Sequence, residues 1–351
     1  MRRVSRKLWL LIPLAILVFA LPTWWMRTWL PRQGGLPTPT ATVAPSPLEE
    51  TYRQAIELAA SEPLDALPLL AELIDSPYAS AALTIRQGIQ GGRLSGDRAY
   101  LLTATGQSLA AVGEWAAARQ AFLAAVEANP DYAEAWAYLG EALQKNGQDG
   151  LQALQKAEDL DPNSLSVRLF LALYWQRQAD FERAEQNLRV AALQHPTNPL
   201  VQIQLAENAV LKGDTAGALP YLQRALDLAP NDPAIWRAVA AYSVESALYL
   251  EEIGLPTLER LLHQQPGQAD YLVLNARALA LLRRDTEAET YFVQALQADP
   301  DHVSAHLFYG IFLLAGQRLD EARQHLNTVL ALQPVGPQAS LAAHWLAQIS
   351  Q

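Results

Sequence analysis

The chain contains no cysteine. That excludes disulfides, thiolate metal sites, a cysteine nucleophile and a lipid-modified N-terminal cysteine. It leaves the redox compartment open, because a stacked helical array needs no disulfide staples. Strand-favouring residues are sparse and Ala, Leu and Gln crowd the middle, so helix is the default. Charged residues make up 18% of the 351 positions against 50% hydrophobic, which favours an all-α protein with a large buried core. The first 48 residues contain no acid, and Arg2, Arg3, Arg6, Lys7, Arg27 and Arg32 carry all their charge. The formal net charge of −10 therefore hides an asymmetry: from residue 49 onward, 20 Lys and Arg face 36 Asp and Glu. Such a surface repels phosphate backbones, and no basic stripe interrupts it, so no nucleic-acid partner is expected.

Signals for chemistry are also missing. Gly91-Gly92-Arg93-Leu94-Ser95-Gly96-Asp97 has the glycines of a phosphate loop but not its Lys-Ser/Thr, and no strand precedes it. A loop between helices accounts for it. His302 and His306 stand four apart, a spacing that can chelate a metal, yet no Glu lies between them and His306 shares a column with Trp136 and Trp236. The other histidines are scattered, and acid pairs such as Glu251-Glu252 read as solvated faces. The expectation is a protein without enzymatic activity, cofactor, metal or small-molecule substrate.

Residues 1–30 run from a basic start through an apolar stretch to an aromatic border. Leu8 to Trp25 is 18 residues without a charge, enough for ~27 Å of helix at ~1.5 Å per residue. Trp24, Trp25 and Trp29 fit an interfacial belt, and Arg27 can reach headgroups. This predicts a transmembrane helix with a cytoplasmic N-terminus and everything after residue 31 outside the cytoplasm, a single-pass protein of the cell membrane. The competing reading is a cleaved signal peptide with Val18-Phe19-Ala20 at the cleavage site. Both readings export the remainder; the tryptophans favour a retained anchor. Residues 31–48 follow as a Pro/Thr-rich linker that cannot form a core and favours extended polyproline II.

Internal periodicity dominates the rest. Pro130, Pro162, Pro196, Pro230, Pro266, Pro300 and Pro334 are spaced by 32, 34, 34, 36, 34 and 34 residues. Several close the same phrase, as in Glu127-Ala128-Asn129-Pro130 and Gln297-Ala298-Asp299-Pro300. Each proline ends one helix and precedes the next. Aligned on the prolines, two columns hold only Gly or Ala: Gly106, Gly140, Ala172, Ala206, Ala240, Ala276, Gly310, and Ala118, Gly150, Ala184, Ala218, Gly254, Ala288, Ala322. Small residues there let paired helices approach closely. Two places break the period, a two-residue deletion near Gly147-Gln148-Asp149 and a two-residue insertion near Ile253-Gly254-Leu255-Pro256.

The motif W-x-x-L-G stands intact as Trp136-Ala137-Tyr138-Leu139-Gly140, and A-x-x-x-F recurs as Ala118 to Phe122 and Ala288 to Phe292. With the period near 34, residues 99–334 resemble the tetratricopeptide repeat family. The resemblance implies a right-handed α-solenoid of about seven stacked antiparallel helix pairs. Residues 49–98 read as a degenerate helical lead-in with helices near Glu49–Ala60, Leu64–Ile74 and Tyr78–Gln90, and residues 335–351 as a C-terminal capping helix.

In this family the first helix of each pair lines a concave surface that takes peptides. Carried over by alignment, the groove candidates are Tyr138, Phe170, Leu173, Ile203, Arg237, Tyr242, Arg277 and Phe308. Thr103, Ala137, Leu169 and Ile203 occupy sites where some members hold carboxylate-gripping Lys and Asn, so that clamp is not expected. An apolar, aromatic groove with Arg237 and Arg277 suits protein or peptide segments carrying apolar and acidic residues. The functional expectation is a membrane-anchored extracytoplasmic scaffold that recruits or assembles partner proteins at the cell envelope. The alternative is a secreted binding subunit for glycan or cell-wall material after signal cleavage.

Overall fold

A computed structural model describes residues 46–349 of the chain, so the expected anchor and most of the linker lie outside the described residues. Among the described residues there are eighteen α-helices and no strand, and no helix is long and apolar enough to cross a membrane. They divide into two compact units, one of residues 46–197 with 207–214 and one of residues 198–206 with 215–349. Each is built of helix pairs in the TPR-like solenoid manner.

The N-terminal unit holds α1 (Pro47–Ser61), α2 (Pro63–Glu72), α3 (Ala79–Arg93), α4 (Arg98–Ala111), α5 (Trp115–Ala128), α6 (Ala133–Lys145), α7 (Leu151–Leu160), α8 (Leu165–Arg177) and α9 (Phe181–Gln194). The C-terminal unit holds α11 (Thr215–Leu228), α12 (Pro233–Ser246), α13 (Leu255–Gln264), α14 (Ala269–Leu281), α15 (Asp285–Ala298), α16 (Val303–Ala315), α17 (Leu319–Leu332) and α18 (Pro337–Ile349). Helix α10 (Pro199–Leu211) is apportioned between the two.

The helices begin where the sequence supplies N-caps. Ser46 accepts from Glu49 N, Asp97 from Tyr100 N and Asp180 from Arg183 N, each satisfying an orphan amide of the first turn. Of the glycine-rich stretch expected as a loop, Gly91 to Arg93 are instead the last turn of α3; only residues 94–97 connect the helices, and Asp97 caps α4. A methyl placed on Gly88 would lie 1.6 Å from Ser108 Oγ, and one on Gly92 2.9 Å from Leu101 Cα. These glycines serve the close packing of α3 on α4.

The small-residue columns sit at the pair crossings. A methyl on Gly106 would fall 2.6 Å from the Phe122 ring, and one on Gly140 2.6 Å from Leu154. A methyl on Gly150 would meet the Gly140 carbonyl oxygen at 2.0 Å. The alanines of both columns are fully buried. Both breaks in the period shorten a second helix, α7 and α13, to 10 residues. At the insertion the chain turns through Ala247 and Tyr249, both with left-handed backbone, into a π-helical turn at Leu250–Gly254.

The turn inside each pair is a repeating device. Gly113, Gly147 and Gly213 take positive φ after a first helix, and Ala179, Arg283 and Gln317 do the same in the other pairs. Each time the next amide reaches back into the helix: Glu114 N to Leu109 O, Asp180 N to Trp175 O and Arg284 N to Leu279 O, all at 2.9 Å. This is the Schellman pattern that satisfies the last carbonyls of a helix.

Candidate protein-binding surface

The first helices carry the candidate groove residues, and burial sorts them. In the N-terminal unit Tyr138 stacks on Phe122 at 5.3 Å and meets Phe170 edge-on at 4.9 Å. Phe170 is 2% exposed, and Tyr138 and Leu173 are also buried. In the C-terminal unit Ile203 and Tyr242 are buried as well. These five rings and chains pack between helices. Arg237, Arg277 and Phe308 keep partial exposure.

Those three lie on α12, α14 and α16, first helices that pack in succession within the C-terminal unit. Arg277 pairs with Glu245 of α12 at 2.7 Å, and its guanidinium lies 3.8 Å from the centre of the Phe308 ring on α16. The cation thus sits over an aromatic face and is paired with a carboxylate. Asp270 of α14 meets His302 Nε2 at 3.2 Å; that bond, helped by the charge of Arg237, holds its carboxyl below the usual carboxylate range. Leu274 on α14 is partly buried, and so is Ile311, which packs with Phe308 on the same cluster of α16 and α17.

The N-terminal unit bridges its first helices in the same manner. Both terminal nitrogens of Arg177 on α8 donate to Glu141 on α6 at 2.6 Å. Lys145 lies 3.9 Å from Glu141 and 5.4 Å from the Trp115 ring centre. Burial lowers the proton affinity of Lys145, against the pull of Glu141. Glu134 accepts from the Tyr132 hydroxyl at 3.0 Å, and burial raises its proton affinity. Gln176 and Asn208 add a buried amide contact of 3.4 Å.

These bridges were not foreseen from sequence. Their members are 36 residues apart (Glu141, Arg177) or 32 apart (Glu245, Arg277), where the columns step by 32 (Gly140 to Ala172) and 36 (Ala240 to Ala276), so each pair is offset by four residues. Opposite charges on successive first helices, offset by about one turn, are the signal. His302 and His306 do not converge: His302 Nδ1 accepts from Ala305 N at 3.2 Å, whereas His306 turns to the Pro300 carbonyl at 2.9 Å. Among the described residues no three His, Cys, Asp or Glu side chains gather to hold a metal.

Two family models, each described as Tetratricopeptide repeat, match the chain, one over residues 103–164 and the other over residues 176–242 and 286–344. No curated relative matches it in sequence. Among solved structures it is similar to yeast Tom70, at 15% identity with a TM-score of 0.57, covering 96% of this chain and 69% of that one. It is also similar to a tetratricopeptide repeat protein from Parabacteroides merdae, at 12% identity with a TM-score of 0.50, covering 72% of this chain and 99% of the other. At such identities the likeness is one of fold.

Proposed function

This chain belongs to the tetratricopeptide repeat family, and from that premise we propose that it is a scaffold that binds another protein through the C-terminal unit. The observation that carries the reading is the surface of Arg237, Arg277 and Phe308, partly exposed on successive first helices. The partner segment would set an apolar side chain against Phe308 and Ile311 and an acidic one against Arg237. Arg277 is committed to Glu245, so it acts by holding the Phe308 face rather than as a free cation.

In the same reading the scaffold stands at a membrane, anchored through residues 8–25, with its repeats on the extracytoplasmic side where it recruits or assembles partners at the cell envelope. The support is the uncharged run from Leu8 to Trp25 behind four bases and the tryptophans that border it. A reporter active only in the cytoplasm, fused after Gln351, is expected to be silent, and the intact chain to stay in the membrane fraction. An active reporter would overturn the topology. A shortened, freely soluble chain would favour the secreted reading with cleavage after Ala20.

Affinity capture by a fragment from residue 46 onward, followed by mass spectrometry, tests the scaffold itself. Arg237→Glu is expected to abolish capture or make it steeply salt-dependent while helicity is unchanged. Capture that ignores both Arg237→Glu and Phe308→Ala in folded protein would remove this surface from consideration.

A further inference from the structure

The pair of α16 and α17 contains two histidine rings that the proposed surface does not use. His306 on α16 and His325 on α17 approach Nδ1 to Nδ1 at 2.8 Å. The other nitrogen of His306, Nε2, stands 2.9 Å from the Pro300 carbonyl oxygen. A carbonyl only accepts, so Nε2 carries a proton and Nδ1 of the neutral ring is bare. His325 must then donate through its own Nδ1–H. One proton held between two rings joins the helices.

On α16 the Tyr309 ring lies 4.8 Å from His325, and its hydroxyl donates to Glu289 of α15 at 2.9 Å. Glu289 is also ion-paired with Arg318, which bonds Glu321 at 2.7 and 2.6 Å one turn before His325. From α14 the acid facing α16 is Asp270, and it is occupied by His302. On α18, His344 rests on Trp345 and bonds Gln348 of its own helix. The charges acting on His325 are therefore Glu321 and Arg318, already joined to each other, and His306.

We propose that the His306–His325 contact is an acid-sensitive latch between α16 and α17, closed while at most one extra proton is held and open when both rings are charged. With one extra proton the rings still share a single N–H. With two, both Nδ1 atoms carry hydrogens that face each other across 2.8 Å, and the bond is replaced by repulsion between like charges. Burial, then the neighbouring His306, holds the proton affinity of His325 below its usual value. The folded value lies under an unfolded one of about 6.5. The latch's contribution is therefore complete above that pH and is lost as pH falls through the folded value. Opening would loosen α17, which buries Ala322, Leu326 and Val329, and then α18, whose Ala342 joins Leu326 and Val329 in one cluster with Leu307.

The same junction in another repeat shows what a latch without this sensitivity looks like. Arg168 on α8 donates to the Pro162 carbonyl at 2.7 Å and to Asn187 on α9 at 3.0 Å, nineteen residues on, as His325 is from His306. A guanidinium keeps its charge throughout the range in which imidazole titrates. Trp136 likewise donates to Pro130 at 2.8 Å with no titrating group.

The test is hydrogen exchange read by mass spectrometry on the full chain at pH 7.5 and pH 5, corrected for intrinsic rates. Peptides from residues 319–349 are expected to lose protection on acidification, by up to about tenfold for each pH unit between the unfolded value of about 6.5 and the lower folded one, while those from 269–281 hold theirs. His306→Arg with His325→Asn, which transplants the Arg168 bonds to the carbonyl and to Asn187 but not its ion pair with Glu158, is expected to keep protection at pH 5. Should that pair not fold, His306→Trp retains the carbonyl bond, removes the shared proton and serves the same purpose. Equal protection of wild-type 319–349 at both pH values would overturn the latch, as would the same acid loosening in the variants.

Discussion

Glu141 receives both arms of Arg177 at 2.6 Å across two successive first helices, with only 8% of its own side chain exposed. Removing one partner of such a pair leaves a charge in poor solvent. Glu141→Ala is therefore expected to destabilise the N-terminal unit, by about 2–3 kcal/mol: a fully buried pair would lose more, but Arg177 keeps a quarter of its exposure. Replacing both by Met should cost far less, because no unpaired charge remains. Urea unfolding of the two variants distinguishes a bridge that stabilises from one that merely must not be broken. A double variant as unstable as the single one would show that the pair itself contributes.

The left-handed turn residues offer a gain rather than a loss. A non-glycine residue there is strained by about 1–2 kcal/mol, and glycine returns part of that through the unfolded chain's entropy. Ala179, Arg283 and Gln317 are all exposed, so their side chains have little packing to lose. Ala179→Gly or Gln317→Gly is expected to raise stability by about 0.5–1 kcal/mol, and Gly113→Ala to lower it by a similar amount. Thermal melts of the three variants check the sign in each case.

Close approach at the pair crossings gives a sharper contrast. The methyl of Gly150→Ala would meet backbone, which cannot rotate away, so a cost of about 1–3 kcal/mol or more is expected. Gly267→Ala meets nothing within 4 Å and should be tolerated. Similar melting temperatures for the two would contradict the crossing geometry.

Much of this architecture is legible in the sequence because its determinants are local and recur. The prolines and the Gly/Ala columns each state one physical requirement seven times over. The turn column is less visible, since half its members are Ala, Arg or Gln, residues that do not announce a positive φ. The binding face is harder still. Helix α8 is apolar nearly all round and buries Val167, Leu169, Phe170, Leu171 and Tyr174 alike, so periodicity cannot say which side faces a partner. The register of the polar bridges depends on helix offset, which no column alignment encodes.

Phe170 and Phe308 turn that ambiguity into a paired experiment. Both come from first helices and both were candidates for the groove, yet Phe170 is 2% exposed against Tyr138 whereas Phe308 keeps part of its ring open under Arg277. Truncating a buried phenylalanine removes its transfer energy and leaves a cavity, about 3–5 kcal/mol in all. Phe170→Ala is therefore expected to lower the melting temperature first, with partner capture falling only as the fold does. Phe308→Ala removes the face on which Arg277 lies and an apolar contact for a partner, where a central anchor is worth about 2 kcal/mol or more of binding. It is expected to weaken capture with a smaller change in melting. Measuring melting and capture on both variants separates the roles. If Phe308→Ala melted early and bound normally when cold, the ring would belong to the core. Binding would then have to rest on Arg237 and its neighbours, and Arg237→Glu would be the variant that decides it.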